Sequence, residues 1–75
     1  MEEKLITAIA EIFEIDPSEV KPEDKFRDYE NYSSLVELSV LALMNSEFDI
    51  ELEMKDFDKL LTIKDLLLYI ESHKP

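Results

Sequence analysis

Serine 34 is the side chain of this sequence best placed to do chemistry. Ser34 stands where a helix is predicted to begin, and Glu37, three residues later, could complete a capping box with it. A serine oxygen at a helix N-terminus lies beside free backbone donors and the positive end of the helix dipole, where an attached phosphate would be stabilised. The alternative is that Ser34 serves only as the N-cap of this helix.

The other candidate groups do not form a recognisable site. His73 is the only imidazole and lies close to the C-terminus, which is unfavourable for general-base geometry. Asp56-x-Asp58 resembles the opening of a calcium loop, but Leu61 and Leu67 occupy the positions that require glycine and a bidentate glutamate. The acids at 49, 51 and 53 alternate along an extended stretch and are predicted to be solvated. We therefore predict no catalytic residue and no metal site.

Length and composition exclude several classes of function. The chain has 75 residues, no cysteine and no glycine, with 19 Asp and Glu against 8 Lys and Arg. A chain this short buries only about 60% of its unfolded surface, which leaves little room for an enclosed catalytic cavity. The formal charge of −11 repels nucleic acids and anionic lipids and favours basic protein surfaces. We expect a non-enzymatic protein whose partners are proteins.

The chain also lacks the marks of membrane insertion or export. No apolar run is long enough to cross a bilayer, and the start, Met-Glu-Glu-Lys, lacks the basic region of a signal peptide. No internal repeat or linker divides the sequence. We expect a cytoplasmic monomer in which residues 1–75 form a single domain.

Apolar periodicity predicts a first helix and a long loop. Residues at helical spacing between Glu2 and Ile15 form one apolar face: Leu5, Ala8, Ile9, Ile12 and Phe13. Asp16-Pro17 is predicted to end this helix. Residues 16–33 then read as a loop that needs apolar anchors of its own, for which the candidates are Val20, Phe26, Tyr29 and Tyr32.

The second half of the chain predicts three more helices. Eight of the ten residues from Leu35 to Met44 are apolar, and Asn45, Ser46 and Asp49 are predicted to close this second helix. Residues 48–53 are interpreted as an extended loop before a short helix near Met54 to Leu60. The last helix follows Thr62, with Asp65 completing a capping box. The predicted fold is an all-α four-helix bundle with three main helices, one short helix and a long loop between the first two.

This arrangement resembles the acyl and peptidyl carrier proteins over nearly the whole chain. The similarity rests on Phe26 in the loop, Ser33-Ser34-Leu35 at the start of helix two, Glu47-Phe48-Asp49-Ile50 after it, and residues 61–66 at the start of the last helix. The resemblance implies a 4′-phosphopantetheine arm on Ser34, transferred from coenzyme A by a phosphopantetheinyl transferase. The arm's thiol would then hold acyl or aminoacyl groups as thioesters, for fatty-acid, polyketide or related biosynthesis. Ser33 is the second choice of attachment residue.

The same resemblance assigns helix two to partner recognition. In carriers this helix usually presents acids to basic patches on partner enzymes, but residues 34–46 contain only Glu37. The acids lie on its flanks instead, since residues 28–54 contain no Lys or Arg. We expect Leu35, Val36, Glu37, Val40 and Met44 to form the partner surface or an acyl slot between helices two and four. The alternative is that Val36, Val40 and Met44 are buried in the bundle.

The sequence is also compatible with two other functions. Ser33 stands where carriers typically have aspartate, and Tyr29-Glu30-Asn31 stands where they typically have Asp-Leu-Gly. An unmodified carrier-like interaction module is therefore the main alternative. Phe48-Asp49-Ile50 and Asp56-Phe57-Asp58 also resemble the D-alanyl carriers, which is the third interpretation.

Overall fold

The computed structural model describes residues 2–73 and is helical. Four α-helices lie along this part of the chain: α1 Glu2–Phe13, α2 Ser34–Phe48, α3 Met54–Phe57 and α4 Ile63–Ser72. No β-strand occurs in residues 2–73, where strand-like pairing is limited to one isolated bridge between Lys25 and Thr62. The predicted all-α class, with three main helices and a short one, is confirmed. Lys74 and Pro75 lie outside the described residues.

The end of α1 differs from the prediction. Glu14 adopts a left-handed backbone conformation with φ 59°, and the Ile15 amide donates to the Ala10 carbonyl at 3.0 Å. This closes the helix at Phe13. Pro17 was predicted to end α1, but it starts a separate 3₁₀ turn, Pro17–Glu19, which is capped by the Asp16 side chain.

Helix α2 ends, like α1, at a residue with a left-handed backbone conformation. The chain has no glycine, the residue that usually adopts it. Asp49 takes φ 56°, and the Ile50 amide donates to the Met44 carbonyl at 3.0 Å. The predicted left-handed termination at Asp49 is confirmed. Asn45 and Ser46 lie inside the helix, however, so they do not close it.

The loop between α1 and α2 is held by its own apolar residues, as predicted. Val20 and Phe26 are buried, while Tyr29 and Tyr32 are half-buried. The Tyr29 ring packs edge-on against Phe13 at a centroid distance of 4.8 Å. The loop is therefore an ordered part of the core and fixes the direction in which the chain enters α2.

Arg27 connects this loop to α3. Its guanidinium lies 4.8 Å from the centroids of both the Phe26 and Phe57 rings. It donates hydrogen bonds to the carbonyls of Phe57, at 2.8 Å, and Leu60. The Leu61 amide, which would continue the helix, donates to Asp65 instead. These two contacts explain why α3 ends at Phe57, whereas the sequence predicted a helix as far as Leu60.

The core is formed by one face of each long helix together with residues from the connecting segments. Its buried side chains on α1, α2 and α4 recur at helical spacing: Leu5, Ile9, Phe13, Val36, Val40, Met44, Ile63, Leu66 and Ile70. Ile50, Leu52 and Phe57 are buried from the α2–α4 connection. The side of α2 that carries Leu35 and Leu38, near the N-terminus of the helix, lies outside this core. Within residues 2–73, no helix has the length and apolarity to cross a membrane.

Candidate functional site

The N-terminus of α2 is capped by Ser33. Ser33 has an extended backbone, with φ −160° and ψ 171°, and its Oγ accepts a hydrogen bond from the Val36 amide at 3.2 Å. The Glu37 amide already donates to the Ser33 carbonyl at 3.0 Å. The helix begins at Ser34, as predicted, but the residue that caps it is Ser33. The assignment of Ser34 as N-cap was wrong, because Ser34 is the first residue of the helix.

Glu37 does not complete the predicted capping box. Its carboxylate accepts a hydrogen bond from the Tyr32 hydroxyl, which draws it away from the backbone of the cap. Partial burial and, next, this bond to Glu37 raise the pKa of Tyr32 above its usual value. The only acid of residues 34–46 is thus held by a side chain of the preceding loop. No rule of sequence spacing pairs Tyr32 with Glu37, which are five residues apart.

Ser34 and the first amides of α2 are open to solvent. The Ser34 side chain is exposed, and its hydroxyl makes no hydrogen bond within residues 2–73. The amides of Ser34 and Leu35 likewise find no acceptor in the described part of the chain. An exposed hydroxyl beside two free donors at the positive end of a 15-residue helix suits a phosphodiester. The residues present therefore fit the predicted attachment chemistry.

Of the apolar residues of α2 that were predicted to form a partner surface, Leu35 is exposed and the other three are not. Val36, Val40 and Met44 are all buried, because they recur every four residues on the side that faces the core. They cannot form a docking surface, so that prediction was wrong. Leu35 is 73% exposed and Leu38 is 58% exposed. The signal that could have identified Leu38 is its position four residues after Ser34, on the same face.

One acid in the last turn of α2, Glu47, is paired with a residue far away in the sequence. Lys4 of α1 lies 3.8 Å from the Glu47 carboxylate and donates to the Glu47 carbonyl at 3.2 Å. The same ammonium lies 5.2 Å from the Phe48 ring. Lys4 thereby neutralises part of the charge at the C-terminus of α2. The charge near the N-terminus of α2, from Asp28 and Glu30, lies on exposed loop residues.

A surface groove of about 600 Å³ runs between α1 and α2. It is lined by small and apolar side chains with acids at its edge: Ala8, Glu11, Ile12, Ser39, Ala42, Leu43, Ser46 and Glu47. This groove lies on another side of α2 from the slot that was expected between helices two and four. That slot stays a prediction.

The last candidates from the sequence are His73 and the Asp56-x-Asp58 motif. The His73 ring stacks on Tyr69 at a centroid distance of 3.9 Å, and its Nδ1 lies 2.9 Å from the Tyr69 carbonyl oxygen. Asp56 is half-buried at α3, and Asp58 is exposed directly after it. Across residues 2–73, no group of three His, Asp or Glu side chains is arranged to hold a metal ion.

Comparison with known proteins agrees with this geometry. Residues 3–70 match the profile of a family described as the phosphopantetheine attachment site. An acyl carrier protein of Helicobacter hepaticus is 32% identical over 72 residues, covering 96% of this chain and 95% of the relative. That of Bdellovibrio bacteriovorus is 35% identical over 92% of this chain and 88% of the relative, and that of Thermosynechococcus vestitus is 30% identical over 93% and 86%. The chain therefore belongs to the acyl carrier protein family, whose prosthetic group is covalently attached 4′-phosphopantetheine.

Proposed function

We propose that Ser34 carries the 4′-phosphopantetheine arm and that the protein presents acyl groups on it to other enzymes. The observation that carries this proposal is the open N-terminus of α2, where the Ser34 hydroxyl is exposed and free of any hydrogen bond within residues 2–73. The neighbouring Ser33 hydroxyl serves as the N-cap of α2, because its oxygen accepts a hydrogen bond from the Val36 amide. Ser34 is thus the available nucleophile of the two.

Loading forms a phosphate ester bond and breaks a phosphoanhydride bond. The Ser34 Oγ forms a bond to the phosphorus of the phosphopantetheine moiety, and the pyrophosphate bond of coenzyme A breaks. Adenosine 3′,5′-bisphosphate leaves, and the hydroxyl proton passes to a base of the transferase. The free amides of Ser34 and Leu35 can donate hydrogen bonds to the phosphodiester formed. When bound, the arm supplies a thiol on which acyl groups are held as thioesters.

The chain itself supplies position and charge. In our proposal it has no catalytic residue, and the chemistry takes place in the enzymes that visit the arm. Its partners are then the transferase and acyl- or aminoacyl-handling enzymes with basic docking surfaces, since the charge of −11 attracts them. We further propose a monomeric, single-domain protein that acts in the cytoplasm. The relatives named acyl carrier protein support acyl groups as the cargo, and we propose fatty-acid biosynthesis ahead of polyketide or D-alanyl pathways.

An unmodified interaction module is the second candidate. Ser33 in place of the usual aspartate favours it, because the resemblance assigns that aspartate a part in transferase recognition or metal placement. In that case α2 would keep its open N-terminus without an attached group. The two candidates differ in a single covalent step at Ser34, which can be measured directly.

Intact-mass spectrometry separates these candidates. The apo-protein is incubated with coenzyme A and a broad-specificity phosphopantetheinyl transferase. We expect the wild type and Ser33→Ala to gain about 340 Da, the mass of one arm, and Ser34→Ala to gain nothing. A gain that persists in Ser34→Ala and disappears in Ser33→Ala would move the site to Ser33. A folded wild type that gains no mass with several transferases would contradict the carrier function.

A further inference from the structure

We propose that Asn31 is a positioning residue for the loading of Ser34. Its side-chain amide ties the segment that leads into α2 to the end of α1, and this contact holds Ser34 in one place before the transferase arrives. The inference rests on the proposed loading of Ser34. It assigns a role to Tyr29-Glu30-Asn31, the stretch that stands where carriers typically have Asp-Leu-Gly.

The contact is a hydrogen bond between residues that are 18 positions apart in the sequence. Asn31 Nδ2 donates to the Phe13 carbonyl at 2.8 Å. Phe13 is the last residue of α1, and the last carbonyls of a helix have no partner within the helix itself. Asn31 therefore supplies a donor that the end of α1 lacks. A glycine at this position would have no side chain with which to make the bond.

The residues on either side of Asn31 contact the same residue of α1. The Tyr29 ring packs edge-on against the Phe13 ring at a centroid distance of 4.8 Å, and the Tyr32 ring stacks on it at 6.5 Å. Phe13 is fully buried, and side chains packed in a core are held in one arrangement. Tyr29, Asn31 and Tyr32 are thus all fastened to one buried residue.

The positions between Asn31 and Ser34 are fixed from the side of α2. Tyr32 donates a hydrogen bond from its hydroxyl to the Glu37 carboxylate. Ser33 is held by the first turn of α2, whose third amide donates to the Ser33 hydroxyl oxygen at 3.2 Å. The Ser34 hydroxyl makes no hydrogen bond within residues 2–73. Its backbone is therefore held from both sides while its oxygen stays available.

A nucleophile that is held in place reacts faster than a mobile one. Attack on phosphorus requires the Ser34 oxygen to lie within about 3.5 Å of it, and a displacement of about 1 Å can cost a large factor in rate. If the segment before α2 were released from α1, the transferase would have to order it. In this proposal Asn31 acts only through the position of Ser34.

The test removes the donor and keeps the shape of the side chain. Asn31→Asp has the same size, but its carboxylate cannot donate to the Phe13 carbonyl, and Asn31→Ala removes the group. Asn31→Gln keeps a donor on a longer side chain. Asn45→Asp and Asn45→Ala are the matched controls, since Asn45 is exposed on α2 and its side chain makes no hydrogen bond in the described part of the chain.

Two quantities separate positioning from binding. The single-turnover rate of loading is measured by intact mass with coenzyme A and a broad-specificity transferase, and the Kd of the transferase is measured by calorimetry in a Ser34→Ala background. We expect Asn31→Asp and Asn31→Ala to lower the rate about fivefold with Kd within about twofold, and Asn31→Gln to recover most of the rate. The Asn45 variants should stay within about twofold of the wild type in both. A purely structural role would leave the rate of the folded carrier unchanged, with folding checked by circular dichroism.

A second readout does not depend on loading. The ¹⁵N order parameters of the Ser33 and Ser34 amides report their mobility, and we expect them to fall from about 0.85 in the wild type to about 0.6 in Asn31→Asp. The amides of Ile63 and Lys64, which are bonded to loop carbonyls at the start of α4, should keep their values.

Each remaining outcome decides the inference. Unchanged order parameters, a rate that falls equally in the Asn31 and Asn45 variants, or a weaker Kd with an unchanged rate would overturn it. If the folded wild type gains no mass at all, the proposed function falls and the positioning role falls with it. Normal wild-type loading with an unchanged rate in the Asn31 variants removes only the positioning role.

Discussion

The N-termini of α2 and α4 have the same kind of cap but different surroundings. At α4, Thr62 Oγ1 accepts from the Asp65 amide at 3.1 Å, as Ser33 Oγ accepts from the Val36 amide at α2. The remaining first-turn amides of α4 are also bonded, since Ile63 donates to the Asp24 carbonyl at 3.0 Å and Lys64 to the Pro22 carbonyl at 2.8 Å. The corresponding amides of α2, on Ser34 and Leu35, face solvent.

The difference follows from where the long loop packs. Its first half crosses the start of α4 and supplies two carbonyls there, and the Asp65 carboxylate accepts from the amides of Leu61 and Thr62. Its second half turns into α2 and supplies only the Ser33 cap. A helix N-terminus whose donors are all paired stabilises the fold, whereas one with unpaired donors can bind an anion. The pairing of the first-turn amides therefore distinguishes the start of α4, which stabilises the fold, from the start of α2, which can bind an anion.

The largest effect is expected at the closed N-terminus. Asp65→Ala removes a carboxylate that accepts two backbone hydrogen bonds, so we expect the free energy of unfolding at pH 7 to fall by about 2 kcal/mol. Urea denaturation measures this change. Asp58→Ala is the matched control, because it also removes one negative charge, but from an exposed side chain that makes no hydrogen bond in the described region.

The pH dependence of Asp65→Ala has a defined sign. The bonds from the Leu61 amide and then the Thr62 amide lower the pKa of Asp65 in the folded protein. Its stabilisation is therefore complete above the pKa of an unfolded Asp, about 4, and is lost as the pH falls through the lower folded-state pKa. The difference between wild type and Asp65→Ala should shrink below about pH 4. A difference that stays constant down to pH 2 would show that the carboxylate charge is not involved.

A smaller effect is expected when the caps themselves are compared. Thr62→Ala and Ser33→Ala each remove one side-chain bond to a first-turn amide and should lower the free energy of unfolding by about 1 kcal/mol. Ser34→Ala is the control at the next position and should change it by less than about 0.5 kcal/mol. Thermal or urea unfolding at equal protein concentration measures all three. A larger loss for Ser34→Ala than for Ser33→Ala would return the cap to Ser34.

Most of the fold was predictable because it follows from local patterns. The apolar spacing of α1 and α4, the Thr62–Asp65 capping box and the left-handed residue at Asp49 depend on residues close together in the sequence, and all three are present. The predicted lengths of α1 and α3 were wrong. α1 ends at a strained Glu14 that no residue type predicts, and α3 is ended by Arg27, about 30 residues away in the chain.

The site was predictable only in outline. Both helix starts offered a hydroxyl residue followed three positions later by an acid, and both were interpreted as capping boxes. At α2 this failed because Tyr32 takes the Glu37 carboxylate, and the cap moved to Ser33. The same limit applies to the exposed side of α2, since eight apolar residues in ten do not reveal which side of the helix is buried. Only packing against α1 and the loop determines that Val36 lies inside and Leu38 outside.

The smallest predicted effect tests whether the open N-terminus binds the phosphodiester. After loading, we expect the amide protons of Ser34 and Leu35 to shift downfield in ¹H–¹⁵N spectra and to exchange about fivefold more slowly, as one added hydrogen bond of about 1 kcal/mol would cause. The amides of Ile63 and Lys64 are internal controls, because their carbonyl acceptors are already in place. Ser34→Ala treated with transferase and coenzyme A controls for non-covalent binding. If the amides of Ser34 and Leu35 are unchanged on loading, the phosphodiester extends into solvent, and the contrast between the two helix starts concerns access to the serine alone.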